Sequence, residues 1–391
     1  MRRFVVLWFR LTILGAMSMA VFNWAIDPYW YFGSQPLSDL GAKPPAGLTF
    51  VALAKSWLLP RRQPVTLLLG TSKADIGIEA ASPLWPVADR PVFNDGVPGQ
   101  ATADMLVNLE TALREAPVRR VLLCLDLADF MNVPTRGVSA SFWQNGFGDW
   151  DQLRKTAHAL LTSAALRDSV LTILARHGVV YADISGNGDD SGEDLRRAIR
   201  QIGPDEMFVQ RLGVSANAMR MIAEDLARQP NSPIARLDVL RRIITLCQTR
   251  GIILDIAITP AHSDYLSLIN QNGLWPRYLQ TKRALTELVA GFGTVSLWDF
   301  MGYDEISTET IAPPGVPGMP RWYYEPSHFT HAVGEMILAA IYHGETGLGV
   351  RLTLQTLDAR LRDEDAARER FWQSAAQPGL DRIRRAISLP N

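Results

Sequence analysis

Short apolar runs that alternate with amphipathic stretches constrain the fold of this 391-residue chain most strongly. The apolar runs lie at 65–70, 90–95, 118–127, 252–259 and 294–300, and helical patterns lie at 102–116, 237–251, 278–293 and 329–344. Strands that are separated by helices pair in parallel, and a parallel sheet is covered by helices on both faces. The sequence therefore predicts an α/β fold with three layers, αβα, around a parallel sheet.

The composition argues against several classes of protein. Hydrophobic residues make up 47% of the chain and charged residues 20%, which is typical of a globular protein rather than a disordered one. The net charge of −1 gives no basic field that would favour nucleic acid. Cys124 and Cys247 lie in apolar contexts that favour buried free thiols, with a disulfide between them as the alternative. No cluster of Cys and His suggests a metal site, so we expect no metal, cofactor or nucleic-acid partner.

The amino terminus predicts a membrane anchor. Arg2 and Arg3 precede an apolar run at 4–26 that contains one charge, Arg10. A helix needs about 20 apolar residues to span a bilayer. The basic residues before the run and the aromatic residues after it predict a single pass through the inner membrane, with the following domain in the periplasm. A signal peptide cleaved among the small residues at 16–20 is the alternative, and the length of the run favours the uncleaved anchor.

The sequence divides into four segments. Residues 1–32 are the membrane anchor, or signal peptide, with its interface segment. Residues 33–64 are rich in Gly and Pro and predict a connector with one short helix. The α/β domain is expected over 65–345, with a helical insertion at about 140–235 that covers the carboxyl edge of the sheet. Residues 346–391 are charged and periodic, which predicts a helical tail on the domain surface.

The stretch LLLGTSKADIGIE, at residues 67–79, places Ser72 just after the first predicted strand. Gly70 permits a sharp turn there, and open α/β sheets hold ligands and catalytic groups at the carboxyl ends of their strands. A serine at this position can instead cap a helix, and this segment alone favours the cap over a catalytic role. The rest of the chain has to decide between the two interpretations.

A carboxylate and an imidazole recur late in the chain. Glu325 and His328 stand three residues apart, just before a predicted helix. At this spacing the two side chains can meet across one turn and leave the second ring nitrogen for a serine elsewhere. Nucleophilic catalysis by serine needs such a base and an acid that orients it. The pair therefore favours the catalytic interpretation of Ser72.

Three sequence blocks together resemble the SGNH (GDSL-like) hydrolase superfamily. In the family's order they are Gly70-Thr71-Ser72, Asn94-Asp95-Gly96-Val97-Pro98-Gly99, and Glu325-Pro326-Ser327-His328 followed by Gly334. The resemblance covers about residues 65–345 and implies an SGNH-like (flavodoxin-like) fold. It implies Ser72 as the nucleophile, His328 as the base and Glu325 as the orienting acid. Gly99 and Asn94 then belong to the oxyanion and substrate-binding loop.

Two departures from the family pattern stand out. Glu325 replaces the usual Asp, and a carboxylate one methylene longer can still orient His328. The family's remaining block, which ends in Asn-Asp, is represented only by CLDLADFMN at residues 124–132. The third oxyanion donor is left open among Asp126, Ala128 and Asn132. Loss of one such donor can slow acyl transfer by about 100- to 1,000-fold.

Several other side chains near these blocks have both a functional and a packing interpretation. His262 either lines the site or belongs to an ordinary loop, and His331 is expected on a helix surface. Asp126 and Asp129 favour caps and turns over an acid pair, and nothing in the sequence marks Lys73 as a base. The aromatic residues that either stack on sugar rings or fill the core are Trp275, Trp322, Tyr323 and Tyr324.

The anchor and the three blocks together resemble the accessory proteins of exopolysaccharide O-acetylation and the teichoic-acid D-alanine transfer protein. This resemblance implies an acetyl group carried on Ser72 to a polysaccharide. The expected partner is a membrane-bound O-acyltransferase or a polysaccharide synthase. The alternatives are a carbohydrate esterase with the same residues and a non-catalytic scaffold that binds polysaccharide or a synthase.

The membrane prediction is tested by topology. We expect a phosphatase reporter fused to the carboxyl terminus to be active, because the basic residues precede the apolar run and hold the amino terminus in the cytoplasm. Fusion of a reporter that functions only in the cytoplasm is the control. Activity of the cytoplasmic reporter and silence of the phosphatase would contradict the predicted orientation.

Overall fold

The structure is a computed structural model of the chain, and it describes residues 1–29, 32, 47–134, 149–175, 184–374 and 378–388. Its strands are β1 (Thr66–Leu69), β2 (Val92–Asn94), β3 (Arg120–Leu125), β4 (Ile253–Ile258), β5 (Val295–Asp299), β6 (Tyr323–Glu325), β7 (His328–Phe329) and β8 (Val350–Arg351). Six of them form one sheet in the order β2-β1-β3-β4-β5-β8, in which only β8 is antiparallel to its neighbour. β6 and β7 form a separate antiparallel hairpin. The predicted α/β class with a mostly parallel sheet is confirmed.

Helices connect and cover these strands. They are α1 (Arg2–Ile26), α2 (Gly47–Arg62), α3 (Ser72–Gly77), α4 (Thr102–Glu115), α5 (Leu127–Met131), α6 (Asp149–Leu161), α7 (Ser163–Ala175), α8 (Glu193–Ile202), α9 (Pro204–Arg228), α10 (Leu237–Thr249), α11 (Ser263–Gln271), α12 (Trp275–Ala290), α13 (His331–His343), α14 (Leu354–Gln373) and α15 (Pro378–Ser388). The four helical patterns of the sequence correspond to α4, α10, α12 and α13.

Alternate strand residues build two hydrophobic layers, because successive side chains of a strand point to opposite faces of the sheet. Leu67 and Leu123 lie on one face, in a cluster with residues of α4, α10 and α12. Leu68 and Leu122 lie on the other face, in a cluster with residues of α13. The sheet is thus the middle layer of three, and its buried strands explain the continuous apolar runs of the sequence.

Helix α1 is long and apolar enough to cross a membrane, judged by its length and composition. It has 25 residues, and none of its most apolar window is buried in the rest of the chain. Among the described residues it is the one helix with these properties. This agrees with the predicted single-pass anchor, and the periplasmic side of the domain stays a prediction.

The inserted segment, expected as a cover over the sheet, divides into two parts. Helices α6 and α7 pack against α1, whereas α8 and α9 pack beside the β6–β7 hairpin. Residues 140–148 and 176–183 of the segment lie outside the described residues. In the carboxyl-terminal segment, α14 is joined to α12 by Glu364, whose carboxylate lies 2.5 Å from the fully buried ammonium of Lys282.

Close contact between α3 and α13 depends on two glycines. Gly77 ends α3, and Gly334 lies in the first turns of α13. A Cβ atom at Gly334 would overlap the carbonyl oxygen of Gly77, and a Cβ atom at Gly77 would overlap the ring of Phe329. Because Ser72 begins α3 and His328 precedes α13, this contact sets the separation of the two residues.

We expect Gly334→Ala to force the two helices apart and to destabilise the fold by about 1–3 kcal/mol, the usual cost of overpacking. Urea denaturation measures this change. Gly347→Ala is the matched control, because a Cβ atom there has nothing within 4 Å. Equal unfolding midpoints for the two variants would show that the helix contact is not a tight constraint.

Candidate active site

Ser72 lies at the carboxyl end of β1, where the chain turns at Gly70 into α3. The helix is capped by the preceding residue, since the Thr71 hydroxyl accepts a hydrogen bond from the Lys73 N–H at 3.4 Å. Ser72 is the first residue of α3 and is partly exposed. The capping interpretation of the sequence therefore applies to Thr71, and the hydroxyl of Ser72 is left for another contact.

That contact is His328. Its Nε2 atom lies 2.7 Å from Ser72 Oγ, although 256 residues separate the two in the chain. The other ring nitrogen, Nδ1, is hydrogen-bonded to Oε1 of Glu325. A carboxylate can only accept, so Nδ1 carries the proton and Nε2 is left to accept one from Ser72. The structure thus brings Ser72, His328 and Glu325 together in one chain of hydrogen bonds.

The β6–β7 hairpin positions this imidazole and carboxylate. Glu325 ends β6 and His328 begins β7, with a two-residue turn between them. Within the turn, Ser327 donates its hydroxyl to Glu325 Oε1 at 2.7 Å and its N–H to Oε2 at 3.1 Å. Both carboxylate oxygens are therefore fixed. The sequence analysis gave Ser327 no role, and its place between Glu325 and His328 was the available signal.

Glu325 stays ionised in this environment. Burial by itself raises the pKa of its carboxyl group, but the charge of His328 and the hydrogen bonds from His328 and Ser327 outweigh burial and lower the pKa to about 2. The side chain is 1% exposed. A buried anion beside Nδ1 can stabilise the charge that the ring would carry after taking a proton from Ser72.

Asn94 holds the segment that carries Ser72. Its side chain is fully buried, and its amide group donates to the carbonyls of Ala74 and Ile78, each at 3.0 Å. Its Oδ1 atom accepts the Gly96 N–H at 2.9 Å. The amide therefore links the loop after β2 to α3. We interpret Asn94 as a positioning residue, because these bonds occupy the groups that a substrate would need.

Gly99 belongs to a loop that is tied to the turn before Ser72. The carbonyl of Gly70 accepts the Val97 N–H at 3.0 Å and the side-chain amide of Gln100 at 2.5 Å. Gly99 has a φ of 69°, a conformation that glycine adopts readily. Among the residues that the structure describes, no group accepts a hydrogen bond from the backbone N–H of Ser72 or of Gly99. Both remain available as donors.

A buried lysine joins α3 to the loop after β2. Lys55 of α2 is fully buried, and its ammonium lies 2.5 Å from Asp75 of α3 and also donates to the carbonyl of Gly96. Burial raises the pKa of Asp75 to about 6, with the charge of Lys55 opposing the rise. The sequence analysis placed α2 in a connector and missed Lys55. A lone charge in the apolar stretch FVALAKSWLL was the available signal.

An ion pair lies after β3, in the segment where the resemblance led us to look for a third oxyanion donor. Asp126 follows β3, caps α5 through the Ala128 N–H, and lies 3.1 Å from the ammonium of Lys73. Asn132 turns its side-chain amide to the carbonyl of Ala128 within its own helix. Of the three candidate donors, only Asp126 contacts Lys73, the residue next to Ser72. An ionised carboxylate cannot donate a hydrogen bond, so the group of this pair that can donate is the ammonium of Lys73.

The remaining candidates mostly serve packing. His262 is 1% exposed. Its Nε2 atom bonds the Glu309 carbonyl at 2.8 Å and its Nδ1 atom accepts the Asp264 N–H, so both ring nitrogens are occupied by groups other than Ser72. His331 is partly exposed and pairs with Glu79 at 2.8 Å. Asp129 accepts a hydrogen bond from the Thr102 hydroxyl at 2.6 Å.

The aromatic candidates and the cysteines lie mostly in the interior. Trp275, Tyr323 and Tyr324 are buried, and Trp322 is partly buried. Cys124 and Cys247 are buried free thiols, as their sequence contexts indicated.

Comparison with known proteins adds no relative. No family model matches the chain, and no curated protein matches it either.

The contact between Glu325 and His328 is tested by substitution. We expect Glu325→Gln to retain the fold and to lower the rate of hydrolysis of an aryl acetate by at least about 100-fold, because a neutral amide does not stabilise the protonated ring. Glu325→Asp keeps the charge and should retain part of the activity.

The matched control is Glu345→Gln, which makes the same change at an exposed position. Circular dichroism checks that each variant is folded. Wild-type rates with Glu325→Gln would show that the carboxylate does not orient the base.

Proposed function

We propose that the chain is a membrane-anchored serine acyltransferase of the SGNH type, which transfers an acetyl group to a polysaccharide through an acyl-Ser72 intermediate. The observation that carries the proposal is the hydrogen-bonded series Ser72–His328–Glu325 at the carboxyl end of β1. A partly exposed serine with a base at 2.7 Å and a buried acid behind that base has the arrangement of an activated nucleophile.

The first half of the reaction acylates the serine. Ser72 Oγ attacks the carbonyl carbon of an acetyl ester donor while its proton passes to His328 Nε2. The tetrahedral intermediate collapses, the bond from carbon to the leaving oxygen breaks, and His328 returns the proton to that oxygen. Glu325 stabilises the ring while it carries the positive charge. The product is an acetyl ester on Ser72.

The second half transfers the acetyl group. A sugar hydroxyl attacks the ester carbon and gives its proton to His328 Nε2. The bond to Ser72 Oγ then breaks, and Ser72 takes the proton back from the ring. Water in place of the sugar gives hydrolysis by the same steps. The acceptor alone distinguishes a transferase from an esterase, because both use the same residues.

Charge on the tetrahedral oxygen needs donors. We assign this role to the N–H groups of Ser72 and Gly99, which donate to no other protein group within residues 47–134. The SGNH family's third donor is the side chain of an Asn, and this chain has no Asn at that place in the block. The cation nearest to Ser72 in the sequence is the ammonium of Lys73. Two donors instead of three fit an enzyme that reacts slowly with simple esters.

The topology supports the SGNH type. The first five strands of the sheet have the order 2-1-3-4-5, a common doubly wound order. In such sheets the functional groups follow the carboxyl ends of the strands. Ser72 follows β1, the Gly99 loop follows β2 and Asp126 follows β3. The hairpin with Glu325 and His328 precedes α13, as the family's last block precedes a helix.

The apolar helix α1 favours transfer over hydrolysis. An anchor holds the site near the bilayer, where a membrane-bound O-acyltransferase would deliver the acetyl group and where a growing polysaccharide would emerge. A free esterase has no comparable need of a tether. The proposed partners are therefore such an acyltransferase or a polysaccharide synthase, and the proposed location is the periplasmic face of the inner membrane.

The proposal is tested by incubating the full chain in detergent with an acetyl ester donor and oligosaccharides. We expect mass spectrometry to detect oligosaccharide that has gained one acetyl group, and we expect Ser72→Ala to abolish the gain. Ser374→Ala, at the exposed end of α14, is the control and should behave as wild type. Removal of acetyl groups from acetylated polymer without transfer would replace the proposal by an esterase, and no reaction in either direction would favour a scaffold.

A further inference from the structure

Helix α7 buries three polar residues and exposes three large apolar residues. Asp168, Ser169 and Thr172 are 2%, 0% and 0% exposed. Leu166, Val170 and Leu174, spaced by four residues on the opposite side, are 37%, 44% and 46% exposed. A surface helix in water shows the reverse pattern, with its apolar face turned inward. Polar groups inside and apolar groups outside are typical of a helix in lipid.

The buried polar residues of α7 bond to the end of α1. Asn23 is fully buried; its Oδ1 accepts the Ser169 hydroxyl at 2.8 Å, and its amide donates to the carbonyl of Leu160 in α6 at 2.9 Å. Just beyond α1, the Tyr29 hydroxyl donates to Asp168 at 2.7 Å. One asparagine thus joins three helices. Polar side chains that bond across helices in this way stabilise helix pairs in membranes.

The contact continues along α1 into its apolar part. Ala16, Met19, Ala20, Asn23 and Ile26 are partly or fully buried, whereas most of the residues between them are exposed. Their spacing of three or four residues marks one face, and α1 packs against α6 and α7. Small residues such as Ala16 and Ala20, four apart, are typical of interfaces between membrane helices.

The depth of this face places part of the hairpin within the bilayer. A helix rises about 1.5 Å per residue, so Ala16 lies roughly 15 Å before the end of α1 at Ile26. The hydrocarbon core is about 30 Å thick. If α1 spans it, helices that cover α1 from Ile26 to Ala16 enter the adjoining leaflet. The apolar side chains on their outer side then meet acyl chains rather than water.

The one charge on the outer face of α7 is compatible with this placement. Arg167 lies between Leu166 and the buried Asp168, and its side chain is 69% exposed. A long arginine side chain can run along the apolar surface and place its guanidinium among the lipid phosphates. In α6, Leu161 at the turn of the hairpin is 49% exposed and extends the same apolar surface.

We propose that α6 and α7 form a membrane-inserted hairpin, whose outer face of Leu161, Leu166, Val170 and Leu174 contacts the acyl chains of the leaflet at the carboxyl end of α1. The ligand of this surface is the lipid bilayer. The inference rests on the proposed membrane span of α1 and is independent of the proposed acyl transfer. The protein is then held by a helical cluster rather than by a single helix.

An environment-sensitive fluorophore tests the placement. The full chain carrying Val170→Cys is labelled with a nitrobenzoxadiazole dye and reconstituted into vesicles of phosphatidylethanolamine and phosphatidylglycerol. The native thiols Cys124 and Cys247 are buried and are not expected to react. We expect blue-shifted emission and loss of most of its intensity to lipids that carry a spin label on the acyl chain.

Two control positions make the outcome decisive. Val214→Cys, on α9, is exposed to a similar or greater degree and should give the emission of a dye in water. Leu14→Cys, in the middle of α1, reports whether the anchor itself spans the vesicle membrane. A dye at Leu14 in lipid and a dye at Val170 in water would overturn the hairpin proposal and leave the anchor intact.

A dye at Val170→Cys that reports an apolar environment in native membranes but water in pure lipid vesicles would also overturn the proposal. In that case a protein partner, rather than lipid, would cover the hairpin. A dye at Leu14 in water would overturn both the anchor and the hairpin. Labelling of Ser72 by a serine-reactive probe, measured on the same samples, tells whether the acyl-transfer site is intact and keeps the two proposals separate.

Discussion

A buried carboxylate is unstable unless its charge is compensated, and this constraint on Glu325 determines the geometry of the candidate site. Three groups compensate it: the His328 ring, the Ser327 hydroxyl and the Ser327 N–H. Because each of them belongs to the same hairpin, the carboxylate fixes both the tautomer and the direction of the ring. The far nitrogen of the ring, Nε2, is then left to accept a hydrogen bond from the Ser72 hydroxyl. Removing the charge would leave a protonated ring without its compensating anion.

The serine side of the site is fixed by buried polar groups from other parts of the chain. Asn94 bonds three carbonyls of the segment that follows Ser72, and Lys55 links that segment to the loop after β2. The glycine contact of α3 and α13 brings the two sides together. Such groups contribute little apolar area, but they hold the loops in one arrangement because leaving any of them unbonded inside the protein costs about 1–3 kcal/mol. The site is therefore built into the core rather than added to the surface.

The sequence predicted the parts of this structure that depend on local pattern. The five parallel strands, the helices α4, α10, α12 and α13, and the pairing of Glu325 with His328 follow from apolar runs, periodicity and spacing. Lys55, Ser327 and the ion pair of Lys73 with Asp126 could not be found in this way, because their partners are distant in the chain or ordinary in type. Helix α7 is the clearest case: its sequence does not indicate which face is inside, and only the contacts with Asn23 and Tyr29 show it.

Covalent labelling of Ser72 tests the central claim most directly. The full chain is treated with a fluorophosphonate probe, digested and mapped by mass spectrometry. The account predicts that the probe is found on the peptide that contains Ser72, that His328→Ala loses the label, and that His343→Ala, at the exposed end of α13, keeps it. A folded wild-type chain that takes up no probe, or that carries it on another serine, would contradict the assignment of Ser72 as a nucleophile.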